Sequence, residues 1–165
     1  MSRDLPTGAI GDDFVRVLFG EDELGVVIRA HIYVEARLLE LLSLLVKDEN
    51  HLKKLNLEFS QYVDLAVALG LGQEHAKGLR AFGNLRNEFA HKLDSKLSES
   101  RINNLYESFS ASDKEIVQAA YLRTKSQFGG GDPDFKDLNP KKRFILIAVA
   151  LHGMLEVALS EVRKR

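Results

Sequence analysis

The chain has 165 residues, 23 Lys or Arg against 24 Asp or Glu, a formal net charge of −1, and neither Cys nor Trp. That length suits one domain, burying roughly 70% of the surface its unfolded form exposes. Without cysteine there is no disulfide framework, cysteine nucleophile or Cys-ligated metal centre, and the near-neutral charge argues against a chain-wide nucleic-acid footprint. The balance of 45% apolar and 28% charged residues is that of an ordinary globular protein and fits a reducing cytoplasm. Asp12 and Asp13 stand where a signal peptide would carry its apolar core, and the longest uninterrupted apolar run, 144–151, is too short for a bilayer. The expected setting is therefore the cytoplasm, with no membrane, and no cofactor is called for.

The three prolines, Pro6, Pro133 and Pro140, leave 7–132 free of the strongest helix breaker, in a stretch rich in Leu, Ala, Glu and Lys. The pattern predicts an all-α, single-domain bundle of about six helices. Residues 1–21 read as a loosely attached arm, with a short helix near 12–18 as the other option, and 22–165 as the helical domain. The first long helix spans about 22–46, on Leu24, Val27, Ile28, Leu38, Leu41, Leu42 and Leu45, and is apolar nearly all round toward its end. Residues 47–51 form a polar break. A second helix covers about 60–69, from Ser60 to Gly70 as stop, and a third about 73–92. A fourth runs near 98–109.

The fifth helix starts at the capping box Ser112-Asp-Lys-Glu115 and ends before the flexible loop Phe128-Gly-Gly-Gly-Asp-Pro133. Asn139-Pro140 opens the sixth, which runs to about 162 with Phe144, Ile147, Ala148, Leu151, Leu155, Ala158 and Val162 as its stripe. The two long helices, near opposite ends of the chain, should pack side by side.

Polar residues inside apolar stripes are the candidate site. His31 and Glu35 lie one turn apart on the first helix, and His152 and Glu156 repeat the spacing on the sixth. Imidazole and carboxylate suit zinc, iron or manganese, which makes these four the metal candidates. The stronger reading has each pair satisfying itself or a neighbouring arginine, since the extra carboxylates of a di-iron bundle are missing. On the third helix the series Leu79, Phe82, Phe89/Ala90, Leu93 runs through Arg86, predicting a partly buried guanidinium with Glu35 as partner. Arg86, Asn87 and His91 can then present a guanidinium, an amide and an imidazole along one side. That trio suits a phosphodiester: arginine grips phosphate and histidine moves a proton near neutral pH. RNA would need no metal, because its own 2′-hydroxyl is the nucleophile. The competing reading is structural, with Arg86 anchored to Glu35 while Asn87 and His91 fix a helix end.

The string Arg86-Asn87-Glu88-Phe89-Ala90-His91 resembles the signature of the HEPN superfamily, an Arg with a polar follower and a His after four intervening residues. The resemblance implies a helical, often dimeric domain, and in its ribonuclease members a composite cleft where Arg86, Asn87 and His91 would be catalytic. Over about 22–110, through Arg29-Ala-His-Ile-Tyr-Val-Glu-Ala-Arg-Leu-Leu-Glu40 and Leu85-Arg-Asn-Glu-Phe-Ala-His91, the chain is also similar to the mannitol operon repressor family of bacterial regulators. That similarity implies repression. Direct operator binding is doubtful: no basic recognition helix is present, and the runs Lys141-Lys-Arg143 and Arg163-Lys-Arg165 sit at opposite ends of the last helix. The expectation is a homodimeric regulator working through a protein partner, and the alternative is a metal-independent endoribonuclease or toxin-like RNA-binding protein.

Overall fold

The computed structural model describes the backbone of residues 9–125 and 133–165 and the side chains of 13–125 and 133–165. Among these residues there is no strand, and eight α-helices build the chain. In order they are α1 (Ala9–Phe19), α2 (Glu23–Leu45), α3 (Glu49–Lys54), α4 (Phe59–Ala68), α5 (Ala76–His91), α6 (Glu99–Glu107), α7 (Ala111–Thr124) and α8 (Pro140–Arg163). Short 3-10 turns at Gln73–His75 and Phe135–Asp137 lead into α5 and α8.

The two long helices start where the local chemistry puts them. Asp22 caps α2 by accepting from the Gly25 amide at 2.6 Å, and Asn139 caps α8 by accepting from the Lys142 amide at 2.8 Å ahead of Pro140. Their pairing is the most extensive in the molecule, with α4 and α5 against one side of α2 and α1, α6 and α7 around α8. α8 has the length and apolar composition to cross a membrane, which its uninterrupted run of 144–151 alone understated. Here it is the central helix of the bundle, with Phe144 through Ala148 sealed from solvent. Phe82 of α5 stacks on Phe144 with ring centroids 5.6 Å apart; burying each ring contributes about 1.5–3 kcal/mol.

Four local expectations are corrected. The segment read as a loose arm contributes α1, whose Phe14, Val15 and Leu18 are buried against α8 and α2. The polar break holds α3, a short helix started by Asp48, whose carboxylate accepts from the His51 amide at 3.0 Å. α4 begins two residues earlier than Ser60 implied: Glu58 is the cap, and its amide donates to Gln61 Oε1 at 2.8 Å. α7 is capped by Ser110, which accepts from the Asp113 amide at 3.2 Å, so Ser112 lies inside the first turn. The glycine loop falls outside the described residues, apart from Pro133, whose carbonyl accepts from Tyr121 Oη at 2.5 Å.

Glycine lets aromatic rings approach α5 closely at Gly78, under Phe109, and at Gly83 beside the candidate site. A Cβ on Gly83 of α5 would lie 2.5 Å from the Phe59 ring, so this glycine lets the ring at the start of α4 rest on the helix that carries Arg86.

Candidate functional site

α5 carries the polar cluster along one edge. Phe82, Leu85 and Phe89 point into the core, whereas Asn84, Asn87 and His91 are exposed. Arg86 sits at the boundary, half-buried, and its Nη1 donates to Asn87 Oδ1 at 3.1 Å. The expected anchor to Glu35 is not made: Glu35 meets His31, and among the described residues Arg86 has no carboxylate within ion-pair distance. The apolar stripe also ends earlier than expected. Ala90 is exposed and Leu93, beyond the helix end, is 95% exposed. His91 occupies the last turn, where the helix dipole favours a cation, and makes no hydrogen bond to Arg86 or Asn87.

Beneath this edge lies His31 of α2. Its ring is buried between Phe59, at 4.5 Å, and Phe82, stacked at 6.0 Å. Nδ1 stands 3.5 Å from Glu35 Oε2, and Nε2 has no partner. Burial first, and the nearby Arg86 charge second, lower its pKa to about 4. His31 is therefore neutral near pH 7, and Glu35 does not hold a proton on it.

The pair on α8 is built differently. His152 is buried against Phe14, 5.0 Å between ring centroids, and its Nε2 is 4.0 Å from Glu156 Oε1. Burial, then the Arg37 charge, lowers its pKa to about 4 as well. Glu156 itself is taken by Arg37 Nε of α2. Arg37 Nη1 also reaches Glu40 Oε2 at 2.5 Å, and Glu40 pairs in turn with Arg163 at the end of α8. The four metal candidates thus remain two separate pairs, and no group of three or more His, Asp or Glu among the described residues is arranged to hold an ion.

Sequence reasoning missed two buried polar contacts. His75 Nδ1 lies 2.6 Å from Asp113 Oδ1, tying the turn before α5 to α7; this hydrogen bond is the main cause of a raised His75 pKa. Arg143, part of the basic run that opens α8, is buried: Nη1 donates to Asn103 Oδ1 at 2.8 Å and Nη2 to Glu99 of α6. Neighbouring Lys141 donates to the carbonyls of Phe19 (3.2 Å) and Glu21. Partners about 40 residues away or more leave no local trace in the sequence. The one available signal was helical period, which puts Asp113 on the face of Ile116 and Val117 and Arg143 on that of Leu146 and Ile147.

No protein-family model matches the chain, and neither a curated protein nor a solved structure matches it. The site is therefore read from its own geometry.

Proposed function

We propose that this chain is a cytoplasmic regulatory protein similar in role to the mannitol operon repressor family, acting as a homodimer through protein contacts rather than by reading an operator itself. The observation that carries this is the outer face of α2, where Ile32 is 61% exposed beside exposed Ala36 and half-buried Leu39, next to the edge that bears Arg86. An apolar helix strip rimmed by polar residues is the usual form of a protein-contact surface. The basic runs supply less positive surface than their composition suggests, because Lys141, Arg143, Arg163 and Lys164 all have intramolecular partners. Sedimentation equilibrium of the wild type and Ile32→Glu tests the reading. A dimer that the substitution splits supports it, and a wild-type monomer at tens of micromolar overturns it.

A second reading has its own observation: the Arg86–Asn87 pair lies at the solvent edge with no carboxylate on the guanidinium among the described residues, and His91 is exposed on the same helix. Under it Arg86 grips the phosphate, Asn87 orients it and His91 moves the proton, while RNA supplies its 2′-hydroxyl. Incubating wild-type, Arg86→Ala and His91→Ala proteins with structured and unstructured RNA in EDTA decides between the two. Cleavage by the wild type alone puts the ribonuclease first, and no cleavage removes it.

A further inference from the structure

Beyond the end of α5 the chain turns back into α6, and the turn is shaped rather than loose. Leu97 is buried, and its amide donates to Glu23 Oε2 of α2 at 2.9 Å. The Lys96 carbonyl accepts from the Ser98 amide at 3.0 Å and from Arg101 Nη1 at 3.1 Å. Arg101 is further held with its guanidinium 5.6 Å from the Phe89 ring centroid and 3.7 Å from Glu88. Together these contacts frame an open depression of about 420 Å³ lined by Lys92, Asp94, Ser95, Lys96, Ser98 and Arg101. Three cations and two hydroxyl-bearing residues therefore face one carboxylate. Among the described residues neither lysine has a carboxylate within ion-pair distance.

We infer that this depression binds a phosphate group carried on a nucleotide or a single-stranded nucleic acid. The inference is independent of the dimer surface on α2. The Ser95 hydroxyl donates to the Glu88 carbonyl at 3.5 Å, and Arg101 Nη1 is taken by the Lys96 carbonyl. Two ammonium groups with no carboxylate partner among the described residues, the Ser98 hydroxyl and the rest of the guanidinium still offer more donors than a carboxylate's two oxygens can use. A phosphate with three or four oxygens can engage them together. The depression lies in the size range of small-molecule sites and exceeds what a bare phosphate fills. The site follows His91 directly in the chain and extends the polar edge of α5.

The test is fluorescence anisotropy with the full chain and a labelled single-stranded RNA decamer, with unlabelled 5′-AMP, inorganic phosphate and oligoglutamate as competitors. Lys92→Ala/Lys96→Ala leaves Arg101 and its contacts in place, and Lys53→Ala/Lys54→Ala on α3 removes the same charge away from the lining. The first double variant should weaken RNA binding at least tenfold and lower the salt slope by about 1.4, from two lost phosphate contacts; the α3 variant should leave both unchanged. Competition by AMP or phosphate identifies a mononucleotide or free-phosphate source, and competition by neither identifies the polymer. No RNA binding at 50 mM salt together with no AMP binding by calorimetry overturns the inference. So does equal loss in both double variants, or oligoglutamate competing as well as AMP.

Discussion

The two His-x-x-x-Glu pairs on α2 and α8 share spacing, burial and a neighbouring arginine, yet they end in opposite states. On α8 the glutamate is claimed by Arg37, which is linked through Glu40 to Arg163, so the charges close into a network clamping the two long helices. On α2 the glutamate stays with His31, and Arg86 turns to Asn87 at the solvent edge. Identical local patterns therefore gave one structural clamp and one arginine with no carboxylate partner among the described residues. What differs is the helix opposite: α8 faces Arg37 on a helix packed along its length, whereas Arg86 sits on the outer margin of α5.

The largest expected effect tests what the pairs share. Both histidines are neutral in the folded protein, with pKa values near 4 against 6.5 when unfolded. The unfolded chain takes up protons on these histidines first, so their contribution to stability falls as pH drops from 6.5 to 4 and changes little below that. Each histidine contributes on the order of 3 kcal/mol to that fall. Urea unfolding at pH 7.5 and pH 4 should show the sum, and His31→Gln or His152→Gln should each remove about half of it. A variant with the wild-type pH dependence would place its histidine outside the buried pair.

Next in size is the contrast itself. Arg37→Met breaks the clamp and strands Glu156, leaving Glu40 with Arg163 alone, for a loss of about 1–3 kcal/mol by urea unfolding. Arg86→Met loses no ion pair and should cost under about 1 kcal/mol. It should also raise the His31 pKa, read by NMR titration of the ring, because a neighbouring positive charge is removed. Equal costs for the two variants would dissolve the distinction between clamp and open site.

The smallest effect has the opposite pH sign. His75 has a raised pKa through Asp113, so its stabilising contribution is complete below pH 6.5 and fades as pH rises through its folded value. Between pH 6 and 9 the wild type should lose on the order of 1 kcal/mol relative to His75→Gln, measured by the same unfolding curves. A flat difference across that range would sever the link between His75 and Asp113.

Much of this was legible locally. Asp22 and Asn139-Pro140 marked the starts of α2 and α8, because a cap needs only the next three residues. The apolar stripe of α8 showed its core role for the same reason of period. At α7 the local signal misled: Ser110 and Ser112 both offer a hydroxyl, and the observed start uses the earlier one. α1 was only the second option for its segment and α3 was missed, because helices of eleven and six residues gain stability only from what they touch.

The site divides along the same line. The sequence by itself determined an all-α chain with two long helices, and that His31 and His152 would lie on their inner faces, because helix period and capping act within a few residues. Only the tertiary structure decided who pairs with whom: Arg37 with Glu156 rather than Arg86 with Glu35, Arg143 with Glu99, and His75 with Asp113. Charge pairing depends on distances of a few ångströms between residues about 40 to 120 positions apart, and those distances exist only once the helices have packed.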